Sequence, residues 1–355
     1  RNLQLKEAAA RIGQAWAQLG VEKGGLLPSL SVSGSASRRF QSLENVATST
    51  GFPVQGGGGT QRIYFTQLDT GLATSWQVDL FGKVRRGVAA ARKNYAAARA
   101  DARALTHSLI AEVARRRVAI ATVNRRIELT RQTVKSRRLT LNTVERRYHR
   151  GVAAVSAGDV YLARENVAAA AAEVPRLKRQ LADEAYALDV LLGLAPGTIE
   201  SDDADIAVLP PPRQIQAGVP ARLIDRRPDL SASELRMAAA VDQIGVSVAG
   251  LYPDLALTGN IGYQNDELSD FFDSRNLVGA IAGDVLVPLF EGGRLRANID
   301  LSQDRAQELA AAYARQVLNA MREVEVALSN DRYLAEQLDW VKEQLNNIRR
   351  AERQA

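Results

Sequence analysis

Pro28-Ser29-Leu30-Ser31-Val32-Ser33-Gly34-Ser35-Ala36-Ser37 alternates without a break. In an extended strand successive side chains point to opposite faces. Leu30, Val32, Gly34 and Ala36 therefore share one face, and the five serines share the other. A second ribbon sets Leu68, Leu72, Trp76, Val78 and Leu80 against Asp69, Ser75, Gln77 and Asp79. A third sets Leu255, Leu257, Ile261 and Tyr263 against Asp254, Thr258 and Asn260, and a fourth, with Ile281, Val285, Val287 and Leu289, alternates less cleanly. Such alternation over about ten residues has two readings: a half-covered sheet in a water-soluble domain, or a barrel wall with lipid outside and water within. Two features favour the wall. The polar face is rich in Ser, Thr and Asn rather than charge. Aromatic residues (Tyr64, Phe65, Trp76, Phe81, Tyr252, Phe271, Phe272, Phe290) also gather near the ribbon ends, where interfacial girdles sit. The expected lipid-facing residues are Leu30, Val32, Leu72, Trp76, Val78, Leu255, Leu257 and Ile261, with Gly56–Gly59 and Asn265–Asn276 as extracellular loops. Four strands cannot close a barrel, for which the single-chain minimum is about eight. Three copies supply twelve, so the strand count predicts a trimer.

The chain is also written twice. Sliding it so that Pro28 falls on Pro253 lays Arg11 on Arg236, Gln18 on Gln243, Gly20 on Gly245 and Val21 on Val246. Gly25, Leu26, Leu30 and Gly34 likewise meet Gly250, Leu251, Leu255 and Gly259. A repeat this long is a duplicated half rather than a solenoid. The expected organisation is a first repeat over 1–195, a Pro-rich connector over 196–219 and a second repeat over 220–355. The first repeat holds a helix, strands at about 28–40 and 67–80, and long helices at about 83–149 and 159–192. The second holds a helix, strands at about 254–264 and 279–290, and a long helix from about 294 to 355.

Between Val88 and Arg150 there is neither Gly nor Pro, and some 65 helical residues reach roughly 100 Å. Val113, Ile120, Ile127, Val134, Leu141 and Tyr148 recur every seventh residue, as do Val160, Val167, Val174, Leu181 and Leu188. Near the C-terminus Tyr313, Ala320, Ala327, Leu334, Val341 and Ile348 repeat the pattern beside Val317, Val324, Leu338 and Leu345. Heptads of this kind drive antiparallel coiled-coil packing. The narrow, alanine-rich seam suits both a simple hairpin and a closed ring of helices. At the reversal near Arg150–Gly158, Gly151 is placed to supply a left-handed C-cap and Ser156 or Asp159 an N-cap. Pro175 predicts a kink in the returning helix.

Composition excludes several classes of function. No cysteine occurs among the 355 residues, so no disulfide, thiolate nucleophile or cysteine metal site exists. No run of 18 apolar residues is present, which removes a transmembrane helix and leaves a barrel as the structure able to cross lipid. Both ends read as cut within helical patterns. His107 and His149 lie about 42 residues apart on one helix, roughly 60 Å, too far to share a site. His149, beside the turn, is at most a weak pH sensor. No Walker loop, paired-His zinc motif or nucleophile elbow occurs, and Gly56–Gly59 lacks the Lys-Ser/Thr of a phosphate cradle. Asp202, Asp203 and Asp205 offer a weak candidate calcium site. The net charge of +6 and the Arg-rich stretch around Arg115–Arg117, Arg125, Arg126, Arg137, Arg138, Arg146 and Arg147 suit a nucleic acid or an acidic partner. They equally suit a solvated coiled-coil face balanced by Glu323, Glu325, Asp331, Glu336 and Asp339, the reading preferred because nucleic-acid binding leaves the four ribbons unexplained.

Asp225-Arg226-Arg227-Pro228-Asp229-Leu230, continuing through Leu235 and Gly245 to Leu251-Tyr252-Pro253, resembles the outer-membrane efflux proteins of the TolC superfamily, and within it the OprM/NodT lipoprotein branch. Trp76-Gln77-Val78-Asp79-Leu80-Phe81-Gly82, Leu192-Gly193-Leu194-Ala195-Pro196-Gly197 and Pro288-Leu289-Phe290-Glu291-Gly292-Gly293-Arg294 carry the same resemblance in the same order. It implies a membrane α+β fold: a trimeric twelve-stranded transmembrane β-barrel, four strands per chain, continuous with a long periplasmic α-helical coiled-coil barrel. It implies a passive channel without cofactor or enzymatic activity, in the outer membrane of a Gram-negative bacterium. The implied partners are two further copies, outer-membrane lipids, a periplasmic adaptor and an inner-membrane pump of the proton-driven RND type. The implied cargo is drugs, metals or other small molecules. A type I secretion outlet of the same fold stays open, as does a soluble coiled-coil protein. The family's adaptor-docking tip carries a Val-Gly-Leu-like motif; Arg150-Gly151-Val152 matches it at one residue of three, with Ser156 and Asp159 beside it. The family's gating aspartates fall beyond Ala355, and its lipid-bearing N-terminal Cys has no counterpart here.

Overall fold

The computed structural model describes residues 2–42, 62–198 and 226–354. Gly56–Gly59, Asp202, Asp203, Asp205, Asp225 and most of the Pro-rich connector lie outside them. The elements run α1 (Leu3–Gly24), β1 (Ser29–Ser42), β2 (Arg62–Val78), α2 (Lys83–His149), α3 (Ala157–Leu192), α4 (Pro228–Ala249), β3 (Asp254–Asn265), β4 (Leu277–Leu286) and α5 (Arg294–Gln354). The second strand begins at Arg62, five residues before alternation predicts, because its start is aromatic and charged rather than aliphatic. The fourth ends at Leu286, short of Val287 and Leu289, just before Pro288, which cannot donate to a ladder.

The residues group into two compact units, each drawing on both copies of the sequence repeat. In the unit formed by Gln14–Ala97 and Ser233–Arg315, the four strands make one antiparallel sheet in the order β1-β2-β3-β4. Among the described residues both β1 and β4 therefore present an open edge. Beneath the sheet, Leu19 of α1 is buried against Val88 and Ala91 of α2, with Leu26, Val84 and Tyr95 packed on them. Trp16 and Tyr95 meet ring to ring at 5.3 Å, and Lys93 pairs with Asp242 of α4 at 2.7 Å.

In the other unit α2 and α3 pack through their heptads. Ile120, Val123 and Ile127 interlock with Leu177, Leu181 and Leu188 in one buried cluster against which Val113 packs. Each such side chain contributes about 1.5–3 kcal/mol by leaving water. Helix α3 runs through Pro175 as one helix. Among the described residues the arginines of α2 pair with acids of α2 itself and of α3 rather than with the α5 acids named from the sequence: Arg116 bonds Glu112 of α2 and Glu184 of α3, each at 2.7 Å, and Arg126 lies 3.8 Å from Glu173 of α3. These are the acids that one α-helical turn and one coiled-coil neighbour bring within reach. On the C-terminal half of α5, by contrast, Leu334, Leu338, Val341, Leu345 and Ile348 of the heptad are exposed, while Ala320 nearer its start is buried.

Candidate functional site

The register of the sheet sorts its residues into two faces. Residues directly opposite one another in adjacent strands share a face. Leu30 stands opposite Thr74, Thr74 opposite Gly259, and Gly259 opposite Ile281. Val32, Leu72, Ile261 and Gly279 form the next row, and Trp76, Leu257 and Gly283 another. Val78, Leu255 and Val285 follow. All eight aliphatic and Trp positions named from the sequence thus fall on one face, and this face is open: Val32 is 77% exposed and Ile281 94%. A hollow of about 640 Å³ lies among Leu30, Leu72, Ile261 and Ile281, floored by Gly259 and Gly279.

The opposite face is largely small and polar, with the alternating serines of β1, Ser75 and Gln77 of β2 and Thr258 and Asn260 of β3. Ser29 and Ser31 donate to the carbonyls of Ser75 and Ala73 at 3.1 and 3.3 Å, and Ser35 donates to the Asp69 carboxylate at 3.1 Å. Here Gly71 faces Gly262, and the two backbones approach closely. A Cβ on Gly262 would meet the Thr70 carbonyl oxygen at 2.2 Å, and one on Gly71 would meet that of Ile261 at 2.7 Å. Phe65 pairs with Arg39 on this face, away from the other aromatic residues of β2. Phe271 is buried beside Tyr263 and Phe272 in the β3–β4 loop rather than exposed at a rim. Sequence alternation alone gives no sign of either.

At the other extreme of α2 the chain reverses tightly. Gly151 has φ of +68°, its amide donates to the Tyr148 carbonyl, and the Val152 amide donates to the Arg147 carbonyl at 3.2 Å. That pair of bonds is a Schellman closure, and only glycine adopts this φ without strain. Of the two candidate caps for α3, Ser156 is the N-cap and Asp159 its reciprocal partner. The Ser156 hydroxyl accepts from the Asp159 amide while the Asp159 carboxylate accepts from the Ser156 amide at 2.8 Å. The Ser156 amide and hydroxyl hold the Asp159 carboxyl below the usual range. Arg150 and Val152 project from the reversal, with Val152 43% exposed.

Two of the quoted motifs acquire physical roles. Arg227 grips Asp229 with two bonds, at 2.8 and 3.1 Å, and reaches Glu323 of α5 at 2.8 Å. Its side-chain bonds to Asp229 and Glu323 raise the Arg227 pKa against the opposing effect of burial, and Arg227 lowers that of Asp229. Pro228 opens α4, where its missing N–H costs nothing. Asp79 receives the Arg85 amide at 2.8 Å and so caps the start of α2 after the β2 strand. Phe81 stacks on Tyr252 at 4.8 Å, which fastens the two strand–helix junctions to each other.

An exposed, largely apolar sheet face, a small and polar reverse and coiled-coil helices define a class, the four-strand building block of an outer-membrane channel. The comparisons agree. A model of the outer membrane efflux protein family matches residues 1–194 and 219–355, and the chain belongs to that family. It is 32% identical to outer membrane protein OprJ of Pseudomonas aeruginosa over 92% of this chain and 66% of OprJ. It is 31% identical to the toluene efflux pump outer membrane protein TtgF of Pseudomonas putida, over 98% of this chain and 69% of TtgF. The chain thus spans roughly two thirds of the length of such relatives. Among solved structures it superposes on a membrane protein from Pseudomonas aeruginosa with a TM-score of 0.81 at 31% identity, covering 95% of this chain and 76% of that one. The open-state MtrE outer membrane channel of Neisseria gonorrhoeae gives 0.80 at 28% identity, covering 97% and 73%. The fold is that of the TolC-like channels, a family of outer-membrane proteins of Gram-negative bacteria that reach into the periplasm and are not enzymes.

Proposed function

We propose that the chain is one third of a passive export duct, the outer-membrane channel of a tripartite efflux system for small molecules. The observation that carries this reading is the sheet: one face is largely apolar and exposed, the other is lined with small and polar residues, and among the described residues both edges are open. Lipid against the first face and water against the second satisfy the side chains. Closure of β4 on the β1 of a second copy satisfies the edges, and three copies complete twelve strands. The bare heptad positions in the C-terminal half of α5 supply a further surface for a ring of helices. OprJ, TtgF and the pyoverdine export protein OpmQ of Pseudomonas putida, all similar over most of this chain, support an efflux role.

In this reading Leu30, Val32, Leu72, Trp76, Val78, Leu255, Leu257 and Ile261 face lipid. Arg150, Gly151, Val152, Ser156 and Asp159 form the tip that a periplasmic adaptor grips, and an inner-membrane pump drives cargo through it. The selectivity of such a duct comes from lumen width and charge and from the partners it recruits. The test is direct. The protein purified from outer membranes should need detergent, run as a heat-modifiable trimer and give single-channel conductance in a planar bilayer. A water-soluble monomer without conductance would refute the proposal. At the tip, Gly151→Pro should abolish export while leaving the trimer intact, because proline can neither adopt φ +68° nor donate the bond to Tyr148. Full export by that variant would remove the tip assignment.

A further inference from the structure

Among the described residues the apolar face of the sheet carries only two charged side chains, Arg38 and Arg62, and no carboxylate. Both stand at the end of the β1–β2 hairpin farthest from the helices. Phe40 and Tyr64 face each other there with ring centroids 6.2 Å apart. The Arg38 guanidinium lies over the Tyr64 ring at 5.0 Å, and that of Arg62 over the Phe40 ring at 4.9 Å. Each arginine thus reaches diagonally across the strand pair to the aromatic residue of the other strand. Neither makes an ion pair with a described residue.

The position of this quartet is informative. From Trp76 to Tyr64 along β2 the strand rises about 40 Å at roughly 3.3 Å per residue. Tilted as barrel strands are, it climbs about 30 Å, slightly more than the ~25 Å apolar band of an outer-membrane barrel. A lipid-side arginine is costly at the midplane of such a band and nearly free at its boundary. Two arginines at one boundary, on a face otherwise without charge, sit at the level of lipid headgroups. Stacking occupies the flat face of a guanidinium but leaves its in-plane N–H edge free, and that edge matches phosphate oxygens two at a time. The rings also hold both side chains in place before a ligand arrives.

We infer that Arg38 and Arg62, held over Tyr64 and Phe40, bind the phosphates of the anionic glycolipid of the outer leaflet. This inference rests on the membrane reading above. The rival partner is a carboxylate of a neighbouring copy, such as Asp266, Glu267 or Asp270 in the loop after β3. Arg62 argues against it, because β2 is an interior strand and a second copy adds only at an edge.

The experiment uses the purified channel, titrated with deep-rough lipopolysaccharide, with the same lipid after removal of its phosphates, and with phosphatidylcholine vesicles. The wild type should bind the phosphorylated lipid about tenfold or more tightly than the dephosphorylated one. Arg38→Gln/Arg62→Gln should lose most of that preference while keeping its heat-resistant oligomer. The double Lys variant, which keeps charge but not the flat two-pronged donor, should fall between. Equal binding of both lipids, or an undiminished preference in the Gln variant, would overturn the inference. So would a Gln variant whose oligomer dissociates, since the arginines would then join protomers. A protein that inserts into phosphatidylcholine vesicles and conducts, yet ignores the phosphates, overturns this inference alone. One that fails to insert overturns the membrane reading as well.

Discussion

The sharpest constraints sit on single residues. Gly262 and Gly71 face each other where two strands nearly touch, and the obstacle to a Cβ is backbone, which cannot swing aside. Gly262→Ala should therefore cost about 3 kcal/mol, at the upper end of overpacking penalties, and lower the temperature at which the oligomer dissociates. At the reversal, Ser156→Ala removes one half of a reciprocal cap and should cost roughly 1 kcal/mol, read as faster amide exchange in the first turn of α3. The Asp159 carboxyl is held below its ordinary value by Ser156, so its contribution is fully present above about pH 4, the unfolded value, and lost as pH falls through the lower folded one. Exchange at the tip should accelerate only in acid below that value, and Asp159→Asn should abolish the step.

Elements are joined by a few long-range contacts. The Arg227 guanidinium binds Asp229 at the start of α4 and Glu323 on α5, with side chains about one third to one half exposed. Solvent screening limits such a pair, so Arg227→Gln should cost only about 1 kcal/mol, measured as a shift in the denaturant midpoint of the helical unit. That pairing shows where legibility ends. The helices could be read from the sequence because a heptad is local: Ile120 and Ile127 announce a buried stripe, and Leu181 and Leu188 another. Strand faces could be read for the same reason, since alternation is a property of neighbours. That Glu323 also meets Arg227, beyond the neighbouring Asp229, could not, because Glu323 is 96 residues away and nothing near it in sequence marks the partner. The acids balancing α2 were hidden likewise, since its partner helix is fixed by packing rather than by charge. The close approach at Gly262 and the burial of Phe271 depend on register and loop path, which alternation does not encode.

At the scale of the whole molecule, one sheet with two unlike faces has to meet two unlike solvents. An arginine placed mid-strand on the apolar face, Val32→Arg, should destabilise the barrel by about 2–4 kcal/mol and deplete the heat-modifiable oligomer from outer membranes. Its neighbour Ser33→Arg, on the reverse face, should assemble normally and alter conductance. The absence of cysteine from the chain makes the central test clean. Single cysteines are placed in turn at Leu30, Ser31, Val32, Ser33, Leu72, Ala73, Asn260 and Ile261, and membranes are treated with a water-soluble and then a lipid-soluble thiol reagent. Strict alternation is expected, with Ser31, Ser33, Ala73 and Asn260 labelled from water and Leu30, Val32, Leu72 and Ile261 only from lipid. Uniform labelling of both sets by the water-soluble reagent would contradict the membrane-spanning wall.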